Sequence, residues 1–299
     1  MTNLQPSEVV ELDAKNIALV SASELSHPDS DLPPLVSALQ QLNVNAEVVA
    51  WDDDIAWSSY DAAIIRSTWD YHRRREEFDH WLTEVSQQTQ LWNPPELIRW
   101  NSDKRYLADV AAKGLPVVPT TVMDRNELMS QRELAEIGSD IVVKPSVGAG
   151  SHGVRRFTEQ HEAALNYLRA LIESGETPLI QPYLTNIDTR GEVGLVTAAG
   201  VLSHSFHKEA ILNGDVQWSS DGHVLEVISA HTPSESELAL CDRVLALLPE
   251  TAYARIDMLP TDDGPVISEI ELIEPSLFLE VDTGAANRIA AAFASLVRR

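Results

Sequence analysis

A single cysteine, Cys241, in 299 residues excludes an intrachain disulfide and a thiolate metal site. It falls on the inner side of an expected helix, which makes it core rather than nucleophile. Basic residues are scarce as well: 22 Lys plus Arg stand against 46 Asp plus Glu, a net charge of −24. So acidic a surface repels phosphate backbones, which excludes nucleic acid and anionic membranes as expected partners. It also makes each Lys and Arg informative, because an anionic ligand must be met by a few local cations. No apolar run reaches transmembrane length. Met1 to Lys15 has neither a basic start nor an apolar stretch, so no signal peptide is expected, and the expectation is a soluble, cytoplasmic protein. Ser-His-Asp and Cys-His constellations, internal repeats and low-complexity tracts are missing too.

What is present is concentrated between Arg255 and Pro275. Two apolar-rich runs flank Thr261-Asp262-Asp263-Gly264-Pro265, a turn-forming composition that predicts a β-hairpin. A turn centred on Asp263 sets Asp257 opposite Glu269 and Arg255 opposite Glu271. All four then share one face, with Ile256, Met258, Ile270 and Leu272 on the other. Carboxylates directly across a strand pair repel, so Asp257, Glu269 and Glu271 call for a cation. Oxygen-only ligands suit Mg²⁺. A solvated acidic hairpin with Arg255 pairing Glu271 is the alternative.

With 44% hydrophobic residues the chain can build two or three domains. Asn16 to Ser21, Ala46 to Trp51 and Asp61 to Ile65 predict strands, with a helix from Pro33 to Leu42 capped near Asp31: a parallel α/β unit. Ligands collect at the carboxyl ends of such strands, where Arg66-Ser67-Thr68-Trp69-Asp70-Tyr71 falls. Arg66 there either holds an anionic substrate group, with Trp69 and Tyr71 shaping the pocket, or serves as a cap or salt-bridge residue. Arg73-Arg74-Arg75 opens an amphipathic helix through Phe78, Trp81, Leu82 and Val85. Asn93-Pro94-Pro95 predicts a linker, and Trp100 to Lys104 a cap for a helix running to Lys113 and ended by Gly114.

Asp140 to Pro145 predicts a strand delivering Lys144 into a glycine-rich loop, Gly148-Ala149-Gly150-Ser151-His152-Gly153. That loop spells the dinucleotide fingerprint, but Val154 to Phe157 reads as a strand where a helix is required, so a dinucleotide-dependent oxidoreductase is not expected. Strand, glycine flap, strand is the arrangement that covers phosphates from above; a plain hairpin turn is the alternative. Further on come a strand from Leu179 leading into Gln181-Pro182-Tyr183-Leu184, and a hairpin from Gly191 to Lys208 turning at Ala199-Gly200. Lys208 to Gly222 is expected to be a long lid-like loop. Ser234-Glu235-Ser236-Glu237 is a capping box opening a helix to Leu248. A helix from Gly284 to Val297 turns Ile289, Phe293 and Leu296 inward.

The ordered set Lys104, Lys144-Pro145, glycine flap, Gln181-Pro182-Tyr183, Gly191-Glu192, Lys208, Arg255-Ile-Asp257 and Glu269-Ile-Glu271 resembles the ATP-grasp superfamily, its glutathione-synthetase-like branch in particular. Arg66-Ser-Thr-Trp-Asp-Tyr71, Trp100-Asn-Ser-Asp-Lys104 and Ile273-Glu-Pro-Ser-Leu-Phe-Leu279 look closer still to the O-ureido-serine cyclo-ligases of the cycloserine pathway.

The resemblance implies an α/β (α+β) fold. An N-terminal Rossmann-like parallel domain (1–98) would precede a central ATP-grasp domain with the flap (99–180) and a C-terminal one with the hairpin (181–299), enclosing the nucleotide. It implies ATP as cofactor with one or two Mg²⁺ ions, Mn²⁺ being able to substitute. Lys104, Lys144 and the flap residues Gly148, Gly150, Ser151 and Gly153 would meet the phosphates. Gln181, Tyr183 and Leu184 would line the adenine, and Glu192 the ribose or metal region. Asp257, Glu269 and Glu271 would bind the metal, and Arg255 and Lys208 would face the transferred phosphoryl group. Arg66, Trp69, Tyr71, Glu274 and Ser276 would touch a small amino-acid-like substrate. Two departures stand out: Gln181 where many members carry Glu, and Glu271 where many carry Asn. The activity implied is ADP-forming C–N ligation, with a catalytically silent ATP-binding regulatory protein as the alternative; a homodimer is the general default.

Overall fold

The computed structural model describes residues 14–25, 27–123, 128–150, 152–212 and 226–299. The apolar run at its start forms β1 (Lys15–Ser21), whose Ile17, Ala18, Leu19 and Val20 are wholly buried. After it come α1 (Leu32–Gln41), β2 (Val44–Ala50), β3 (Ala62–Ser67), α2 (Arg75–Val85) and β4 (Gln90–Trp92). Their strands pair in parallel in the order β2-β1-β3-β4, the expected α/β unit with β4 added at the edge. Three residues are too few for a strand pattern, which is why β4 was not foreseen.

Two expectations at this junction are corrected. Asn93 is not in a linker: it is 1% exposed, its amide donates to the carbonyls of Tyr253 and Leu272, and its carbonyl accepts from Ala252 N–H. Trp100 to Lys104, expected to cap a helix, gives no side-chain cap and instead carries the end of an unforeseen helix, α3 (Pro95–Asn101); the expected helix follows as α4 (Tyr106–Ala112), with Lys104 between the two. Asn101 ends α3 with its side chain bound to Ile270 O and Leu272 N. Gly114, at φ +81°, ends α4 as expected.

A second sheet follows from β5 (Thr121–Val122), α5 (Gln131–Ile137), β6 (Asp140–Pro145), β7 (Arg155–Thr158), α6 (His161–Glu173) and β8 (Pro178–Pro182). It is antiparallel in the order β5-β8-β6-β7, and encloses its own core of Leu134, Ile141, Val143, Leu168 and Ile180.

The third sheet is built from α7 (Ile187–Arg190), β9 (Glu192–Ala198), β10 (Val201–Lys208), β11 (Ile228–Ala230), α8 (Glu235–Leu245), β12 (Tyr253–Thr261), β13 (Gly264–Glu271) and α9 (Ala285–Val297). Its order is β11-β10-β9-β12-β13, antiparallel throughout. Ala199 and Gly200 turn β9 into β10 with positive φ at both positions, and Ser234 with Glu237 closes both halves of the capping box on α8. Most of the expected lid, residues 213 onward, lies outside the described residues.

The acidic hairpin pairs Arg255 with Glu271 and Asp257 with Glu269, as expected. It reaches that register by another route. The turn is the tighter Asp262-Asp263 connection, with Thr261 opposite Gly264, and a β-bulge at Ser268 supplies the residue that brings the site pairs back into line. Ile256, Met258, Ile270 and Leu272 are buried on the opposite face.

Packing joins the first and third sheets. α9 lies on α1 and on β9 and β10, and Ile17, Leu35, Ile64, Phe206, Tyr253 and Phe293 share one apolar cluster. Helices α3 and α4 pack on β12 and β13 through Leu97, Tyr106, Leu107 and Val110.

Candidate active site

The charged face of the hairpin looks onto the central sheet, and cations arrive there from separate elements. Lys104, freed by the break between α3 and α4, places its ammonium 2.7 Å from Glu269 and donates to Gly148 O at 2.7 Å. Lys144 ends β6 at 9% exposure and has no ion pair among the described residues. Burial pulls its pKa below the ordinary lysine value although Glu269 opposes this. Lys208 ends β10, 2.6 Å from Glu192 and 3.6 Å from Glu226. Burial disfavours its charge, but those carboxylates win and its pKa rises. Arg255 donates through Nε and Nη2 to Asp257, through Nη2 to Glu271, and through Nη1 to Ser276 O at 3.0 Å.

The carboxylates divide by partner. Glu269 and Glu192 are held below the usual range: burial pushes each up, but Lys104 and Lys144 act on Glu269, and Lys208 with the Ser268 hydroxyl on Glu192. Glu271 is pushed up to about 8, first by burial, against Arg255, and then by Asp257, Glu269 and Glu274. Glu274 rises to about 7, by burial first, and with Glu269 adding to it against Lys104. Asp257 is raised too, burial and Glu192 outweighing Arg255.

Among the described residues no three such side chains close around a point where a cation would sit. The reason is visible: Lys104 and Arg255 have drawn the carboxylates onto themselves. The donor set nevertheless fits a hard divalent ion. It is all oxygen, and Glu271 holds a proton near neutrality that a cation would displace.

Above this face lies the glycine loop. Gly150 and Gly153 have φ of +59° and +74°, and a Cβ on Gly153 would sit 3.0 Å from Pro145. Ser151 lies outside the described residues. Ala149 packs against the first domain's apolar cluster, and the His152 ring is 6.0 Å from His72. On β8, Gln181 is buried and donates to Thr120 Oγ1 at 2.8 Å. Tyr183 donates from its N–H to Asp140 O and from its hydroxyl to Asp188, with the Arg156 guanidinium 3.5 Å above its ring. Leu184 follows, half-buried.

The residues expected to touch substrate separate into two groups. Glu274 and Ser276 remain half-buried beside Arg255, whereas Tyr71 is 4% exposed in the apolar cluster with Phe78, its phenol raised well above the ordinary value by burial and then by Glu274, Glu269 and Glu271. Arg66 is placed otherwise: it is fully buried, donates to Pro275 O at 2.8 Å and lies 5.0 Å from the Tyr253 ring centroid. A guanidinium without surface cannot meet an anionic substrate in this conformation. Trp69 donates to Glu274 O at 3.0 Å and stacks on His27. Asp31, expected as a cap, makes no capping bond to α1 and instead accepts from Leu277 and Leu279 N–H.

Sequence reasoning missed Ser268, Asn93, Asn101, Tyr106 and His204. Tyr106 brackets Ile270, donating to its carbonyl and accepting from its N–H, and the buried His204 meets Leu277 O at 2.6 Å. Asn93, polar between an apolar strand and two prolines, and Asn101, within Trp100-Asn-Ser-Asp-Lys104, gave the only signals, and neither named its partner. A cavity of about 390 Å³ between Trp100, Val110, Val244, Leu248 and Ile270 opens on the hairpin's apolar face and is not this site.

Comparison with known proteins follows the same lines. Residues 17–93 match the family described as the N-terminal domain of the D-cycloserine synthetase DcsG. The cycloserine biosynthesis protein DcsG of Streptomyces lavendulae is 35% identical over 300 residues, covering 94% of this chain and 99% of that protein. The crystal structure of D-cycloserine synthetase DcsG superposes with a TM-score of 0.82 at 34% identity, over 94% of this chain and 99% of that one. D-alanine–D-alanine ligase from Bacillus anthracis, solved with ATP, shares the fold at a TM-score of 0.71 and 14% identity, over 96% and 98% of the two chains. This chain belongs to the DcsG family of ATP-grasp ligases and is an ATP-dependent enzyme.

Proposed function

We propose that the enzyme activates a carboxylate or ureido oxygen of a small amino-acid-like substrate with ATP, releasing ADP, and that a nitrogen then displaces phosphate, closing a ring when both groups lie in one molecule. The observation that carries this reading is the convergence of Lys104, Lys144, Lys208 and Arg255 on one carboxylate-rich face beneath a glycine flap. A buried cluster of cations in an acidic protein is suited to a polyanion, and phosphoryl transfer asks mainly for positioning and charge stabilisation.

Lys104 and Lys144 would hold the phosphates, with Gly148, Gly150, Ser151 and Gly153 covering them. Gln181, Tyr183 and Leu184 would flank the base, and Glu192 the ribose. The substrate oxygen attacks the γ-phosphorus in line, the bond to the β-phosphate oxygen breaks, and Arg255 and Lys208 stabilise the charge that spreads over the transferred group. The nitrogen next forms its bond to the activated carbon while phosphate leaves with the bonding electrons. Asp257, Glu269 and Glu271 would hold Mg²⁺, which when bound supplies further neutralisation of phosphate charge. Glu274, Ser276 and Tyr71 would border the substrate. The flap over the site excludes water from a phosphorylated intermediate that would otherwise hydrolyse.

The test is ADP release by purified enzyme with Mg²⁺-ATP across O-ureidoserine and a panel of amino acids. Formation of AMP in place of ADP would overturn the mechanism. Tight ATP binding with no turnover on any substrate would favour a regulatory role.

A further inference from the structure

The segment Ile273–Leu279 follows the acidic hairpin without forming a strand or helix until its last residue, yet it is held at almost every peptide. The carbonyl of Glu274 accepts from Trp69, that of Pro275 from Arg66, that of Ser276 from Arg255 and that of Leu277 from His204. The N–H groups of Leu277 and Leu279 both donate to the Asp31 carboxylate, at 2.6 and 2.9 Å. Asp31 is 2% exposed, with Arg66 Nη2 3.9 Å from it. Exposure alternates along the segment: Pro275, Leu277 and Leu279 are buried, while Glu274, Ser276 and Phe278 are half-open. Phe278 has φ +51°, a conformation a bulky residue keeps only where its surroundings over-determine it.

We propose that Asp31 and Arg66 are positioning residues: they meet no substrate themselves, and fix residues 273–279 so that Glu274, Ser276 and Phe278 form a rigid edge of the substrate cleft. Short local chain geometry cannot hold such a segment, since its backbone groups have no ladder to join. Asp31, in the crossover after β1, and Arg66, at the end of β3, supply three of these bonds, and Trp69, Arg255 and His204 one each. Both oxygens of Asp31 are occupied by backbone N–H groups, and Arg66 has no exposed surface, so each acts through the segment. The proposal rests on the ligase reading for the cleft's occupant but not for the tether itself.

Three variants test it in the full chain: Asp31→Asn, Arg66→Lys and Trp69→Phe. Asp31→Asn sets an amide N–H₂ against one of the two backbone donors. Arg66→Lys keeps the charge but loses the planar fork. Trp69→Phe removes a single hydrogen bond from a partly exposed side chain, and serves if the buried variants fail to fold. With O-ureidoserine as probe, Asp31→Asn and Arg66→Lys should each raise KM for that substrate about tenfold or more, the worth of a charge-assisted hydrogen bond. KM for ATP should stay within about twofold. The double variant should be little worse than the poorer single, because both act on one segment. Trp69→Phe should shift the same KM by a smaller factor. Equal changes in both KM values, or additive effects, would overturn the proposal.

Amide hydrogen exchange separates this from the identity of the substrate. In Asp31→Asn the Leu277 and Leu279 amides should exchange roughly tenfold faster or more, while β12 and β13 keep their protection. Unchanged exchange at those two amides sinks the tether whatever the substrate is. Loss of protection in an enzyme inert to O-ureidoserine would leave the tether standing and overturn only the choice of substrate.

Discussion

Replacing Glu271 with Gln isolates the electrostatics of the hairpin face. In the ligand-free protein this carboxyl titrates near 8 rather than its ordinary 4.5, because burial and then Asp257, Glu269 and Glu274 outweigh Arg255. A folded value above the unfolded one means that the native state holds the extra proton between them. Stability therefore falls as pH rises from about 4.5 to about 8. At about 1.4 kcal/mol per pH unit, a fully shielded group would cost close to 5 kcal/mol across that window. The Glu271 side chain keeps 26% of its surface, so solvent screening reduces this to about 2 kcal/mol. Gln keeps the size and an oxygen for Arg255 but cannot ionise. Urea unfolding of metal-free, nucleotide-free protein should thus find the variant equal to wild type near pH 5 and about 2 kcal/mol more stable near pH 8.5. Taking the difference between the two proteins cancels His72, which is depressed to about 4 by burial and whose contribution grows in both as pH rises towards 6.5. A variant less stable than wild type near pH 8.5, or a difference independent of pH, would refute the reasoning.

Asp257→Asn should act in the same direction, because the Asp257 carboxyl is also raised, burial and Glu192 outweighing Arg255. Urea melts near pH 8.5 should find no loss of apo stability while ADP release is abolished; a marked loss of apo stability would contradict this. Tyr106→Phe strands the N–H of Ile270, whose carbonyl keeps the Asn101 amide, and should cost about 1–2 kcal/mol, a loss that a urea melt reads directly. Gly153→Ala forces a Cβ to 3.0 Å from Pro145 at φ +74° and should lower kcat/KM for ATP about tenfold or more while moving the unfolding midpoint little; wild-type kinetics would show that the flap tolerates both. Hydrogen exchange should find β6, β7 and β8 opening at lower free energy than β1, β9 and β12, because the central sheet has a separate core.

Periodicity and turn chemistry made the regular parts legible. Continuous apolar runs identified β1 and β6, capping boxes and a 3.6-residue stripe identified α8 and α9, and Ala199-Gly200 identified its turn. The site pairs of the hairpin were legible for a less secure reason. The turn was placed half a residue too far along, and the Ser268 bulge compensates for that displacement. No local signal marks a bulge whose purpose is to align distant side chains. Of the two readings of Arg66, its place 3.9 Å from Asp31 fits the salt-bridge one, and strand-end position alone could not choose, since it identifies where ligands collect but not whether a side chain faces the cleft or the loop beneath it. Asp31 had the right residue type for a cap, and tertiary partners claimed both of its oxygens. Asn93, Asn101 and Tyr106 bind backbone groups more than 150 residues away, contacts for which one chain offers no pattern.

These long-range bonds also decide how three sheets can behave as an enzyme. The first and third are one mechanical body: α9 bridges them, a single apolar cluster runs through both, and Asn93, Arg66 and Asp31 tie the backbone of one to the other. The acidic hairpin and the segment after it therefore sit on rigid support, which is what a site needs to hold reacting groups to within a fraction of an ångström. The central sheet differs. Its core is its own, and its contacts with the rest include Val117 beside Ile267, Lys104 with Ser146 and Gly148, Arg156 with Leu212 and Asp188, Ala149 on the apolar cluster around the first sheet, and His152 beside His72. Most of these are polar and lie around the proposed nucleotide. A shift of that sheet would leave Asp257, Glu269, Glu271 and residues 273–279 where they are, since none of them belongs to its core.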